Sequence, residues 1–509
     1  MTEPFVQYRL LLKSLLTGEM SPSDQGGRPA NPDPAPATVK PMITRHIRPG
    51  VSPRLTAAIL AGKAARQGMR ALGSGGTALP GLVVERLDSD AAARIAGGLA
   101  ATALITGTNG KTTTAAMLAR ILRVDGRAVI HNRSGSNLLR GVTAALVAEA
   151  SPLGKLPSGC TAVLETDEAA LPAIARAAPP SVAVFTNLMR DQLDRYGEIE
   201  SIALRWSDAL QDFPNDATIA LNVDDPLIAS LATRWAGGCL TFGIEDPNVP
   251  AAPEGEIVDA VWDPQTRDDF RYSRRYFAQL GRWYTHAGAQ RPTPEIAAEQ
   301  IAIGEQSMQF MLRTPDGSTP INLPAEGLYS VYNALAAAAA ARALGVTAET
   351  VRVGLAQHEA AFGRQEELEV EGRRVRVLLG KNPSGMNQAL RTLQQPGQQH
   401  HMLVLLNDGI ADGADVSWIW DVDWESQAAH CASLTVGGRR AADMALRLEY
   451  AGFPDPTEPV GNDIGRALRR ALDATPKSEQ LVILPTYTAM LDVRQRLGRM
   501  GASRLWDVA

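Results

Sequence analysis

Cysteine is almost missing from this chain: three occur in 509 residues, Cys160, Cys239 and Cys431. They lie far apart and form no C-x-x-C pair, which excludes a disulfide framework and a thiolate zinc site and fits a reducing compartment. Also missing is any uninterrupted apolar stretch of about 18 residues, and the N-terminus lacks the basic, apolar and small-residue succession of a secretory signal. A cytoplasmic protein without a transmembrane segment is expected, free to work peripherally at the inner face of the plasma membrane. Basic surplus is absent as well. The formal net charge is −5 and no arginine-rich run stands out, so there is no general electrostatic reason to hold nucleic acid. There is no internal repeat.

What is present is the composition of an ordinary globular protein, 45% hydrophobic and 21% charged, in a chain longer than one hydrophobic core organises. Two or three domains follow. Residues 20–54 are crowded with proline, glycine and small polar residues that cannot offset ordering entropy, so residues 1–53 read as a disordered extension. Within it, the apolar stretch 8–16 is either a short helix or a translation-start artefact. An alanine-rich helix is expected over 54–72. Apolar runs at 103–106, 128–131, 162–165, 182–186 and 218–222 then alternate with helical stretches such as 113–124 and 170–177. That alternation predicts a parallel, doubly wound sheet with its ligand site at the strand carboxyl ends. Between about 243 and 323 the pattern loosens into a small β-rich insertion rich in charges, prolines and aromatics. A helix over 331–344 stops at Gly345. A second strand-helix alternation begins near Val375 and passes through 402–406, 433–436 and 480–485. The fold class is α/β, with a central domain at 54–368 and a second Rossmann-like domain at 369–509.

After the strand ending at Thr106 runs Gly107-Thr108-Asn109-Gly110-Lys111-Thr112-Thr113. Glycines let backbone amides approach phosphate oxygens, and the following helix turns its positive end to the anion. Lys111 neutralises outer phosphates, and the Thr112 hydroxyl is suited to Mg²⁺. The loop is shorter than the common G-x-x-x-x-G-K-[ST], but its strand-loop-helix setting restores specificity. Glu165 ends a strand where a nucleotide fold places a metal-binding carboxylate. Asp167 and Glu168 read equally as such carboxylates or as a solvated acidic turn. None of the cysteines sits in the tight turn a nucleophile needs. Each reads as a small core residue.

Arg190-Asp191-Gln192-Leu193-Asp194-Arg195, following Thr186-Asn187, and Leu221-Asn222-Val223-Asp224-Asp225-Pro226 resemble segments of Mur ligases and folylpolyglutamate synthetases. Where the amino-acid-adding ligases carry histidine, this chain has Gln192. Lys381-Asn382-Pro383-Ser384 and the long acidic-aromatic run from Asp408 to Glu425 are similar to the MurT family, the ligase subunits of lipid II isoglutaminyl synthase. With Phe362-Gly363-Arg364, the resemblance spans roughly residues 55–500.

The resemblance implies a Mur-ligase-like, parallel-sheet ATPase domain that uses ATP and Mg²⁺ to phosphorylate the α-carboxylate of D-glutamate in the peptidoglycan stem peptide of lipid II. Ammonia then displaces phosphate to give D-isoglutamine. It further implies nucleotide contacts from Gly107, Thr108, Asn109, Gly110, Lys111, Thr112, Thr113, Asn333 and Arg364, with Lys111 and Glu165 catalytic and Thr112 and Glu165 holding Mg²⁺. His131, Asn132, Ser134 and Asn137 match a substrate- or nucleotide-facing segment, and His131 reads equally as structural. Asn333 alone carries over from the adenine-side N-x-x-N, whose first position is Ser330. Many MurT proteins hold a zinc ribbon in the insertion, but 262–292 has no cysteine, so no structural zinc is expected and aromatic residues replace it. The nitrogen source implied is a GatD-like class-I glutaminase subunit, to which Asp415 lends the third member of a Cys/His triad across a heterodimer contact made by the C-terminal domain. Sequence chemistry alone does not choose among Asp408, Asp412, Asp415 and Asp421. Closure of the C-terminal domain over ATP is likewise implied by the family. The alternative is a Mur or folylpolyglutamate-type ligase that adds an amino acid to a carboxylate.

Overall fold

The computed structural model describes residues 52–502 except 72–77, 133–135, 192–198, 254–255, 257, 265, 305–306, 359–363, 394–398, 410 and 455–458. The expected N-terminal extension, including 8–16, lies outside the described residues except for its last two. No described helix is long and apolar enough to cross a membrane.

Eleven strands come first: β1 Ala101–Thr106, β2 Val129–His131, β3 Thr161–Glu165, β4 Val182–Phe185, β5 Thr218–Asn222, β6 Gly238–Ile244, β7 Arg271–Phe277, β8 Leu280–Tyr284, β9 Ile296–Ile303, β10 Met308–Thr314 and β11 Gly317–Leu323. Nine of them form one sheet in the order β11-β10-β9-β6-β5-β4-β1-β3-β2. From β9 to β2 every pairing is parallel, while β10 and β11 add antiparallel strands at the far edge. β1 is central and apolar on both faces, as a covered parallel strand must be. Its side chains alternate between two cores: Ala103 and Ile105 pack with the helix Lys111–Val124, and Leu104 packs with the helices Pro53–Ala71 and Leu139–Glu149. Helices on both faces confirm the doubly wound arrangement.

The alanine run of the helix Leu328–Ala343 is buried throughout. Side chains this small let the helix lie close against both the sheet and its neighbouring helix. Within 243–323, β9, β10 and β11 extend the main sheet, and only β7 and β8 pair separately as a hairpin. Aromatic residues anchor that hairpin: Phe270 meets Trp283 edge-on at 5.5 Å, and the Trp283 indole N–H donates to the Val223 carbonyl at 2.9 Å.

Five more strands, β12 Arg364–Val370, β13 Arg373–Leu378, β14 His400–Leu405, β15 Cys431–Gly437 and β16 Gln480–Pro485, form a second sheet in the order β12-β13-β16-β14-β15. β13, β16, β14 and β15 run parallel. β12 joins β13 through the two-residue turn Glu371-Gly372, both at positive φ (49° and 75°), the geometry that matches strand twist.

His358, beyond the helix Ala348–Ala356, is buried, and burial pushes its imidazole down to about 4. A histidine depressed in the folded state contributes stability above its unfolded pKa, near 6.5, that is lost as pH falls toward 4. Between pH 7.5 and 4.5 this one group should remove about 2–3 kcal/mol. Urea titrations at the two pH values should show a loss smaller by that amount in His358→Phe. An equal loss in both proteins would refute the assignment.

Candidate active site

The phosphate-loop geometry is set by two glycines. Gly107 has φ 133°, and a Cβ there would stand 2.1 Å from the Thr186 hydroxyl. Gly110 has φ 88°, and a Cβ would stand 2.1 Å from the Asn333 side-chain oxygen. Only glycine tolerates either position. The loop is pinned from the end of β4: Asn187 Oδ1 accepts the Asn109 N–H at 2.9 Å, its Nδ2 donates to the Asn109 carbonyl at 3.0 Å, and Thr186 Oγ1 donates to the same carbonyl at 2.9 Å. Thr108 Oγ1 donates to the Met189 carbonyl at 3.0 Å. Gly110 caps the helix Lys111–Val124 without any side-chain hydrogen bond. A helix N-terminus of this kind, with its positive dipole end at the loop, suits an anion. Thr113 is buried in the first turn.

Lys111 is buried, and its Nζ donates to the carbonyls of Gly107 and Thr108 and, at 3.0 Å, to Glu168. Burial raises the Glu168 carboxyl above its usual range, and the charge of Lys111 pulls it back. The solvated-turn reading of Asp167 and Glu168 is corrected: both are buried. Asp167 shapes the turn by accepting the Ala169 N–H at 3.2 Å, whereas Glu168 faces the phosphate loop. Thr112 Oγ1 donates to Glu165 at 2.9 Å, bringing the expected Mg²⁺ pair together. Asn132 holds the backbone of Glu165 at both ends, accepting its N–H and donating to its carbonyl, each at 2.8 Å. Ser134 and Gln192 lie outside the described residues.

Two observations test whether these residues suit a nucleotide and its metal. Asn333 Nδ2 is buried with no hydrogen-bond partner, beside Gly110, as a waiting donor would be. Among the described residues no group of three or more His, Cys, Asp or Glu could hold a metal alone, and Mg²⁺ with nucleotide needs only one or two protein ligands beside the phosphates. The residues fit both groups. The Ser330 hydroxyl, at the first position of the adenine-side motif, donates to the Glu326 carbonyl at 2.7 Å. Arg364 opens β12, but its side chain lies outside the described part.

The 381–384 segment stands directly at the loop. Asn109 Nδ2 donates to Ser384 Oγ at 3.0 Å, and Asn382 Nδ2 donates to Asn109 Oδ1 at 3.3 Å. Asn382 also caps the helix Pro383–Arg391 by accepting the Gly385 N–H at 2.8 Å. Lys381 pairs with Asp191, and Arg190 bridges Asp259 and Asp421. The sequence missed Tyr487, which opens the helix Tyr487–Arg499. Burial raises its phenol, and the nearby carboxylates of Glu165 and Asp412 raise it further. Its distance along the chain from Glu165 left no local signal.

The Leu221–Pro226 motif proves to be scaffold. Asp225 is buried, pushed up to about 6 by burial, and accepts the N–H groups of Leu188, Leu227 and Ile228.

The structure also separates the four aspartates. Asp412 is buried and binds the Thr488 N–H at 2.8 Å. Asp421 pairs with Arg190 at 3.0 Å, and Asp408 lies 3.7 Å from Arg440. Asp415 is exposed; accepting the Ser417 N–H at 2.8 Å holds it below the ordinary aspartate range and so ionised. The cysteines are ill-suited to nucleophilic work. Burial raises all three thiols, Cys239 and Cys431 to about 11, and Cys431 opens β15.

With this geometry in view, the family model of the Mur ligase middle domain matches residues 105–259, and that of the MurT ligase C-terminal region matches 379–490. The chain is 30% identical over 443 residues to "Lipid II isoglutaminyl synthase (glutamine-hydrolyzing) subunit MurT" of Staphylococcus aureus, covering 87% of this chain and 97% of that one. To the like-named protein of Streptococcus pneumoniae it is 33% identical over 448 residues, with the same coverage. A pseudomurein peptide ligase type C from Methanothermus fervidus shares the fold, with a TM-score of 0.59 at 21% identity over 79% of each chain. A Mur-type phosphate loop joined to the 381–384 segment, and close to full-length likeness to these relatives, place the chain in the MurT family of Mur-ligase-fold proteins.

Proposed function

We propose that this chain is the ATP-consuming synthetase subunit of a lipid II isoglutaminyl synthase. The observation that carries the reading is the contact of Asn382 and Ser384 with Asn109, which sets the family's C-terminal signature at the phosphate site. ATP is bound by the amides of 107–113, by Lys111 and by Asn333. Mg²⁺, when bound at Thr112 and Glu165, supplies charge neutralisation for the phosphates. The α-carboxylate of D-glutamate in the stem peptide attacks the terminal phosphorus, giving an acyl phosphate and ADP. Ammonia then attacks the acyl carbon, phosphate leaves, and the amide forms with release of a proton. Lys111 exchanges its hold on Glu168 and the loop carbonyls for phosphate oxygens, so the cation is in place before substrate arrives.

Ammonia comes from a separate class-I glutaminase, since the chain's own thiols are raised by burial. Asp415 is exposed and ionised, and its role is to orient the partner's catalytic histidine. The domain carrying β12–β16 is the partner-binding half. The β7–β8 hairpin works without zinc, supported by its aromatic contacts.

The nitrogen substrate tests the reading. ATP hydrolysis in the presence of lipid II should depend on ammonia, or on glutamine once the glutaminase is added. Dependence on a free amino acid instead would establish the amino-acid-adding ligase.

A further inference from the structure

We infer that the exposed face built by Trp420, Leu446 and Tyr450 is the anchor on which the glutaminase subunit sits, and that it is met by an apolar recess framed by basic residues; this rests on the amidation reading above. Trp420 is 49% exposed, Leu446 48% and Tyr450 73%. The three are contiguous. Leu446 and Tyr450 are four apart on the helix Ala441–Tyr450 and so share a face. The Tyr450 ring meets Trp420 edge-on at 5.6 Å.

The face is also rigid. The Arg447 guanidinium lies 5.4 Å from the Trp420 ring centroid. It is itself buried and tied to the carbonyls of Ile419 and Val422 at 3.2 and 2.8 Å and to Glu425 at 2.9 Å. Large aromatic groups held in one conformation lose little entropy on binding, and tryptophan and tyrosine dominate interface hot spots.

Charge and position select the occupant. Residues 408–425 contain six carboxylates and no lysine, arginine or histidine. Asp412 and Asp421 are engaged internally. Glu425 is exposed but paired with Arg447, whereas Asp415 and Asp423 remain exposed, joined by Glu449 from the helix. An apolar centre with an acidic rim fits a basic-rimmed partner and opposes a second copy of this chain, whose rim would carry the same sign. Trp420 lies in the same short segment as Asp415, so a partner histidine reaching Asp415 brings its subunit against this face.

The test uses the full chain and the separately purified class-I glutaminase of the same cell. Trp420→Ala/Tyr450→Ala should weaken complex formation, measured by analytical ultracentrifugation, by at least 100-fold. Glutamine-driven amidation should fall in parallel and recover when the glutaminase is raised in excess, while the circular dichroism spectrum and the ammonia-driven rate hold. Wild-type association should weaken with rising salt. An unchanged dissociation constant would overturn the proposal, as would a wild-type self-dimer that the double variant dissolves. Asp415→Asn separates the two ideas. If it leaves glutamine-driven activity intact while the aromatic variant still weakens assembly, the triad role fails and the docking face stands. If Asp415→Asn abolishes glutamine use but the aromatic variant assembles normally, the reverse holds.

Discussion

Lys111→Ala should lower kcat/KM for ATP by about 10²–10³-fold or more, because it removes a preorganised cation from the phosphate site. The buried Nζ already has an anionic partner in Glu168 and two carbonyls around it, so the site supports a cation without reorganisation. Removing one partner of a buried ion pair leaves the other charge uncompensated, at a cost of about 3–5 kcal/mol. The alanine variant should thus lose stability as well as activity, because Glu168 is left buried without its cation and must take up a proton. Lys111→Met combined with Glu168→Gln relieves that charge, and should melt closer to wild type while remaining inactive. Steady-state ATP hydrolysis with lipid II and ammonia, read beside thermal melts, separates the two effects. Product formation by this double variant at the wild-type rate would mean that the loop is not a catalytic phosphate site.

Asp415→Asn should act on one nitrogen source only. The asparagine side-chain oxygen can still accept the Ser417 N–H, so the local turn is kept, while the charge that steadies a histidine cation is gone. Loss of a triad aspartate by the same change lowers turnover about 10⁴-fold in the serine-protease case. A comparable fall is expected in glutamine-driven amidation, with amidation retained at high free ammonia. Equal losses with both nitrogen sources would assign Asp415 to the ligase site or to folding.

Much of this arrangement could be read from local pattern. β1 is an apolar run followed by G-x-x-G-K-T, and Ala103, Leu104 and Ile105 had to be buried on both faces once helices flanked the strand on either side. The Thr112–Glu165 contact was foreseeable because a loop and a neighbouring strand end meet at the same edge of a parallel sheet. The acidic stretch after Glu165 was not. Three carboxyl-type positions in four residues look solvated until Trp206 donates to the Glu168 carbonyl and Lys111 takes its carboxylate. Asn132 likewise carried no sign that it would hold the backbone of Glu165.

The sequence by itself determined the phosphate loop, the alternation that builds two α/β sheets, and the poor prospects of the three cysteines as nucleophiles, since each depends on neighbours within a few residues. The tertiary structure alone decided which of four similar aspartates is left exposed, which carboxylate holds Lys111, that Asn382 and Ser384 stand beside a loop far earlier in the chain, and that Tyr487 comes under the influence of Glu165. Those outcomes depend on burial and on contacts between distant segments. Local spacing does not encode them, because the partner that desolvates or pairs each group arrives only when the sheets and their helices pack.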